Sequence, residues 1–220
     1  MSAREAIKEQ ESRPLRRDAA ENRERVLDAA AAVFARDGLA ASVEEIARVA
    51  GVGMGTLYRR FPTKEALIEE LVRQQLTDLI DAATMAGGAP DGEGLEGFLW
   101  AAGHLLQARS GCLGRLWTEA GTAPLVEQVR RLIAELVTRG QAHGRIRSDI
   151  ALPDITLLLW GLNGVISISH AVAPTAWCRS LELSIAGLRP SSEALVHPIL
   201  SSEQMDVISQ QRQISEHHHG

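Results

Sequence analysis

The stretch from Ser42 to Leu67, SVEEIARVAGVGMGTLYRRFPTKEAL, has the spacing of two short helices joined by a tight turn. Ser42 and Glu45 are placed to form a capping box, in which a hydroxyl and a carboxylate close a helix N-terminus. The first helix would end at Gly51, because glycine readily adopts the left-handed conformation that such a turn requires. A second short helix would begin near Met54. The pattern predicts a helix-turn-helix, a motif whose second helix enters the major groove of DNA.

Basic and aromatic residues follow the second predicted helix directly. The chain runs Tyr58-Arg59-Arg60-Phe61 and reaches Lys64 at the start of the next predicted helix. Aromatic anchors beside cations suit a helix end that grips DNA phosphates, and a helix N-terminus offers free backbone N–H groups to an anion. These features favour DNA binding over a plain helical hairpin with a solvated basic face.

The region around this motif resembles a known family. Residues 26–67, about a fifth of the chain, look like the DNA-binding domain of the TetR/AcrR transcriptional regulators, nearly without gaps. The resemblance implies phosphate contacts by Thr56, Tyr58 and Lys64, and it places Gly53, Met54, Gly55 and Arg59 nearest the bases. Ser42 and Arg60 complete the candidate DNA-binding set. Members of the family often carry Tyr or His where Arg59 and Arg60 stand, so which arginine reads a base edge stays open.

Charge is distributed unevenly along the chain. The net charge of −5 at pH 7 by itself disfavours a nucleic-acid-binding protein. Residues 1–64, however, carry 12 Lys and Arg against 10 Asp and Glu, whereas residues 65–220 carry 11 against 18. A mildly basic N-terminal part on an acidic body confines affinity for DNA to one end of the molecule.

The apolar pattern predicts an all-α fold, because residues recur at helical spacing and no run alternates as a strand does. We predict a disordered arm at 1–17, a three-helix DNA-binding domain at 18–64, a helical effector-binding and dimerisation domain at 65–188, and a loose tail with one short helix at 189–220. The helix that begins after Thr63 would run for about five to six turns. It would join the DNA-binding domain to the acidic body as one rod.

Two apolar helices, near 153–171 and 175–187, are candidates for a dimer interface. The first is apolar on most of its circumference, which predicts burial on all sides, and small residues such as Gly161 and Gly164 would permit close helix approach. Two such helices from each of two protomers would form a four-helix interface. The twofold dimer would present two recognition helices roughly 34 Å apart, about one turn of DNA. The alternative is that both helices only fill the core of one chain.

Aromatic and polar residues scattered through the C-terminal helices suggest a small-molecule pocket, because such pockets are mainly apolar with a few orienting groups. The candidate ligand-binding residues are Trp100, His104, Trp117, Trp160 and Asn163. Each also fits a simpler role, the tryptophans as core residues and His104 as a hydrogen-bonded core histidine.

Catalytic and metal-binding motifs are missing from the sequence. We find no G-x-S-x-G, H-E-x-x-H, P-loop or Rossmann glycine pattern, so we expect neither an enzyme nor a cofactor. Cys112 and Cys178 lack C-x-x-C spacing, which favours two unrelated thiols in a reducing cytoplasm over a redox pair, and no structural metal. The polar N-terminus is unlike a signal peptide, and the apolar stretch 155–168 is short and interrupted by glycines, so we expect no membrane partner.

Together these features predict a homodimeric, sequence-specific DNA-binding transcriptional regulator. With the resemblance, the leading interpretation is a repressor that an unknown small-molecule effector releases from operator DNA. Two alternatives stay open at this point. One alternative is a helical interaction protein whose helix-turn-helix does not bind DNA. The other is a DNA-binding protein without an effector.

Overall fold

A computed structural model describes residues 21–108 and 120–217, and within these ranges the chain is helical without strands. The α-helices of the described residues are α1 (21–37), α2 (Val43–Ala50), α3 (Met54–Arg60), α4 (Lys64–Gly87), α5 (Gly94–Ala108), α6 (Ala123–Ala142), α7 (Leu152–Ser169), α8 (Ala176–Leu188) and α9 (Ser202–His217). Short 3-10 turns precede α5 and α6. The predicted all-α fold is therefore confirmed. The predicted arm at 1–17 lies outside the described residues, and so do Cys112 and Trp117.

Helices α1, α2 and α3 pack into a three-helix unit around a small apolar core. Phe34 of α1, Ile46 of α2 and Leu57 of α3 are all almost completely excluded from solvent. The apolar face predicted for the first helix is buried throughout: Val26, Leu27, Ala30, Val33 and Phe34. Because helices this short are marginal on their own, the unit depends on this shared core.

Helix α4 is a single 24-residue rod that links the three-helix unit to the body. Its N-terminus is capped by the Thr63 hydroxyl, which accepts a hydrogen bond from the Ala66 N–H at 3.1 Å. At the standard rise the rod is about 36 Å long. An ion pair between Arg23 of α1 and Glu70 of α4 ties the two parts together. Farther along, α4 packs against α5 and α6 in the body.

The body is built from α5, α6, α7 and α8 around the C-terminal part of α4. Among the described residues its largest fully buried side chain is Trp177 of α8, which packs on α5 where Gly103 provides the space. A Cβ at Gly103 would lie 2.2 Å from the ring carbon Cζ3 of Trp177, so no side chain fits there unless the ring moves. This contact fixes how closely α8 approaches α5.

The prediction that the helix near 153–171 is buried on all sides is wrong for the single chain. Helix α7 buries one face, which includes Ile155, Leu159 and Ile166. Its opposite face leaves Ile168 84% exposed, and a Cβ on Gly161 would contact nothing within 4 Å. Within the described residues α7 is also the one helix long and apolar enough to cross a bilayer by length and composition alone, a test that core helices of soluble proteins also pass.

Within the described residues 189–217, the C-terminal region holds a longer helix than the one short helix predicted for the tail. It contains the 16-residue helix α9, on which Met205 is buried. The preceding segment is anchored by Arg147, which donates to the Glu193 carbonyl at 2.6 Å, and by Asp149, which accepts from the Leu195 N–H at 3.2 Å. The Arg147 guanidinium, assisted by that N–H, lowers the pKa of Asp149 to about 2. The polar composition of the tail concealed these anchors, because they come from the loop between α6 and α7.

Candidate nucleic-acid interface

The turn between α2 and α3 is tight and depends on Gly51. Its φ of 65° and ψ of 34° lie in the left-handed region, which residues with a Cβ rarely adopt. The Gly51 N–H donates to the Arg48 carbonyl at 3.3 Å, and the Val52 N–H donates to the Ala47 carbonyl at 3.1 Å. The end of α2 is thereby closed before α3 begins. The turn predicted from the sequence is present.

The N-terminus of α2 forms only half of the predicted capping box. The Ser42 hydroxyl accepts a hydrogen bond from the Glu45 N–H at 3.2 Å. The Glu45 carboxylate instead accepts from Arg48 at 2.7 Å and from Arg36 at 3.0 Å. These two guanidinium groups, Arg48 foremost, lower the pKa of Glu45 to about 2. The reciprocal bond to Ser42 was predicted wrongly because two cations compete for the same carboxylate.

Helix α3 is held by its apolar side and leaves its polar side open to solvent. Leu57 and the following Phe61 are buried and attach the helix to the unit. Tyr58 is 44% exposed, and Arg59 and Arg60 are exposed as well. Tyr58, Arg59 and Arg60, three of the predicted DNA-contact residues, are therefore accessible from solvent.

The first turn of α3 presents bare backbone to its surroundings. A Cβ built on Gly53 or on Gly55 would have no neighbouring atom within 4 Å. Met54 and Thr56 are half-buried beside them. Glycine has no side chain and so lets another molecule come close to the backbone. The first turn of α3 is therefore the part of this helix that can lie nearest to the edges of DNA bases.

The cations at this surface are not neutralised by carboxylates. Among the described residues, Arg59, Arg60 and Lys64 form no ion pair, whereas Arg36 and Arg48 share Glu45. The Lys64 ammonium lies 5.8 Å from the centroid of the Phe34 ring, a cation–π contact that holds it at the N-terminus of α4. Positive charge at α3 and at the start of α4 is thus available to an anion such as a phosphate.

The structure brings all the predicted DNA-contact residues to this region. They are Ser42 at the N-cap of α2, Gly53 at the N-cap of α3, Met54, Gly55, Thr56, Tyr58, Arg59 and Arg60 on α3, and Lys64 in the first turn of α4.

The structure brings two of the predicted ligand-binding residues, both on α5, to one buried ring. Trp100 and His104 of α5 both contact Trp177, with ring centroids 5.8 Å and 4.9 Å apart. His104 is exposed, so its prediction as a core histidine is wrong. Trp160 and Asn163 lie on α7, half-buried. Trp117 falls outside the described residues.

Two grooves lie near the C-terminal end of α4. The larger has a volume of about 680 Å³, and Trp100 forms part of its wall together with Ala82, Met85, Ala86, Glu96 and Arg145. The smaller, of about 420 Å³, lies between the start of α5 and the end of α8. Both are open grooves at the end of the rod far from α3.

One polar residue of the body was missed at the sequence level. Gln75 lies in the middle of α4 and is fully buried, and neither its side-chain oxygen nor its side-chain nitrogen has a hydrogen-bond partner. Leaving a buried donor or acceptor unpaired costs about 1–3 kcal/mol each. The available signal was a glutamine at an apolar position of the α4 pattern, between Leu71 and Leu79.

Comparison with protein-family models gives two matches that together span most of the chain. Residues 26–71 match the model described as bacterial regulatory proteins, tetR family. Residues 105–190 match the model of the SbtR-like transcriptional regulator C-terminal domain. The first match covers the helix-turn-helix and the start of α4, and the second covers α6, α7 and α8.

Individual relatives extend this similarity over the length of the body. The HTH-type transcriptional repressor KstR of Mycobacterium tuberculosis is 30% identical over 178 residues, which is 75% of this chain and 79% of KstR. The structure of the TetR regulator SCO0520 of Streptomyces coelicolor superposes with a TM-score of 0.58 at 33% identity, covering 77% of this chain and 99% of SCO0520. A TetR regulatory protein of Mycobacterium vanbaalenii gives 0.59 at 31% identity, covering 80% and 99%.

Proposed function

Because the chain belongs to the TetR family of DNA-binding transcriptional regulators, we propose that it is a homodimeric repressor that a small-molecule effector releases from its operator in the cytoplasm. We assign DNA binding to residues 18–64 and effector binding and dimerisation to residues 65–188. The relative KstR is named a transcriptional repressor, which supports this direction of regulation.

The observation that carries DNA recognition is the pair of unneutralised arginines on an exposed recognition helix. Arg59 and Arg60 project from α3 without a carboxylate partner in the described chain, while buried Leu57 holds the helix in place. Guanidinium groups form paired hydrogen bonds with the O6 and N7 atoms of guanine in the major groove. Thr56, Tyr58 and Lys64 would position the helix by binding phosphates, and Ser42 lies at the adjoining end of α2.

Dimerisation is supported by exposed apolar side chains on the two helices predicted to form the interface and on the turn between them. We call this surface the α7–α8 face, and it comprises Leu157, Ile168, Val172 and Leu183, together with the open Gly161 and Gly164. An apolar helix face of this kind, free of packing in one chain, marks a surface for another protein. A second copy of the same face would bury it in a twofold four-helix interface.

The effector response would act through α4, because this one helix begins at the DNA-binding unit and ends in the body. A ligand that favours one tilt of α4 would shift the protein between DNA-binding and released states. To shift it from 1:99 to 99:1, the ligand must prefer one state by about 10⁴-fold. Trp100 and His104 beside Trp177, with Trp117, Trp160 and Asn163, remain the proposed ligand-contacting residues.

Arg59→Ala tests the base-reading role. We expect the variant to lose about 1–3 kcal/mol at particular base pairs, so that its preference among operator variants relaxes at those positions. Operators are first selected by the wild-type protein from a random pool of duplexes, and affinities for single-base variants are then measured. Arg60→Ala tests the other candidate arginine in the same way, and Arg131→Ala, which removes an exposed arginine of α6 outside the DNA-binding set, is the control. An equal loss for Arg59→Ala on every operator variant would reject base reading by Arg59.

A further inference from the structure

Gln75 stands out among the buried polar groups of the body. Within the described part of the chain it is the one side chain whose donor and acceptor atoms are both buried and both unpaired. It is 0% exposed, and Val72 and Leu76 beside it on α4 are equally inaccessible to solvent. A leucine or methionine at this position would occupy a similar volume without an unpaired polar group.

A primary amide buried in this way has a definite chemical complement. The side-chain oxygen of Gln75 accepts and its nitrogen donates, and the two atoms lie side by side. A molecule with an adjacent donor and acceptor would satisfy both at once with two parallel hydrogen bonds. A charged group would not, because a neutral amide alone does not compensate the cost of burying an ion.

We propose that Gln75 is the polar anchor of the effector site, and that the effector presents a neutral amide or lactam group on an apolar body. This inference rests on the proposed ligand-released function and adds to it a specific residue and a ligand class. Gln75 lies 11 residues beyond Lys64 on the same helix, about 17 Å along the rod. An effector bound to Gln75 therefore bears directly on the element that carries the DNA-binding unit.

The test compares Gln75→Leu with wild type in the absence and presence of three seven-membered-ring probes. ε-Caprolactam offers a donor beside an acceptor, N-methylcaprolactam lacks the donor, and cycloheptanone lacks the amide altogether. Gln74→Leu, the same change on the adjacent and half-buried residue of α4, is the matched control. Thermal unfolding is followed without probe, and Kd values are measured by NMR titration.

Without probe, we expect Gln75→Leu to raise Tm by at least about 4 °C, because it removes two unpaired buried atoms, while Gln74→Leu shifts Tm much less. Caprolactam should bind wild type and Gln74→Leu alike, and Gln75→Leu at least tenfold more weakly. N-methylcaprolactam and cycloheptanone should bind wild type at least tenfold more weakly than caprolactam.

Three outcomes would overturn the inference. They are a lower Tm for Gln75→Leu, equal caprolactam affinity of Gln75→Leu and wild type, or no binding of caprolactam to wild type. Operator binding by the wild-type protein is measured in the same buffer without probe. If the wild-type protein does not bind an operator, the proposed function is rejected. If it binds normally and any of the three outcomes is observed, only the role of Gln75 is rejected.

Discussion

Replacing Ile168 and Leu183 together by glutamate is expected to convert the proposed dimer into monomers and to lower operator affinity by at least about 100-fold. The two side chains are 84% and 61% exposed in the single chain and belong to the α7–α8 face. In a twofold interface each substitution is repeated by symmetry, so four carboxylates would be buried against apolar partners without compensating cations. We expect the four-helix interface not to form.

Loss of the interface lowers operator affinity because a monomer carries only one recognition helix. In the dimer the second helix binds at a high effective concentration, and this linkage contributes about 10²–10⁴-fold to affinity. Oligomeric state is measured by analytical ultracentrifugation and operator binding by fluorescence anisotropy. Met85→Glu is the matched control, since it adds the same charge at an 81% exposed apolar residue outside the α7–α8 face. A variant that stays dimeric, with unchanged operator affinity, would show that these helices do not form the interface.

Gly103→Ala will destabilise the protein by about 1–3 kcal/mol, although the same change usually stabilises a helix. The new Cβ would lie 2.2 Å from Cζ3 of Trp177, whose ring is 1% exposed and has no room to withdraw. The cost of displacing the ring exceeds the gain in helix propensity, which is at most about 1 kcal/mol.

Gly97→Ala provides the comparison for this stability prediction. Gly97 lies on the same helix α5, but a Cβ there would meet no atom within 4 Å, so we expect a small gain in stability. Denaturant unfolding gives the two free energies, and near-ultraviolet circular dichroism reports the packing of Trp177. If Gly103→Ala were as stable as Gly97→Ala, the close packing of α8 on α5 would be wrong.

The helix-turn-helix was predictable because its determinants are local in sequence. The Ser42 cap, the left-handed Gly51 and the Thr63 cap each act on backbone within a few residues, and each is present. Glu45 was misassigned because Arg48, three residues along α2, and Arg36, from α1, both bind its carboxylate. The approach of Arg36 is a tertiary contact that leaves no signal in the local spacing, whereas the position of Arg48 was readable from the sequence.

The positions of the helices in the body were predictable from the sequence, but which of their faces are exposed was not. The apolar composition of α7 does not distinguish burial within one chain from burial between two, so its exposed face became evident only from the packing. The segment before α9 is anchored by Arg147 and Asp149, each 46 residues away in sequence from the residue that it contacts. Gln75 was overlooked because a single polar residue in an apolar pattern is a weak signal until its lack of partners is known.

The dependence of operator affinity on salt concentration tests most directly whether α3 and the start of α4 bind DNA phosphates. For a dimer with about eight phosphate contacts, a plot of log K against log salt concentration should have a slope near −7. The Tyr58→Phe, Lys64→Ala double variant should weaken binding to all duplexes alike and make the slope shallower by about 2, because one ammonium group is lost from each protomer. Arg131→Ala, an exposed cation on α6, should leave the slope unchanged. A flat response of the wild-type protein to salt would contradict DNA binding through α3 and the start of α4, and would favour a helical interaction protein instead.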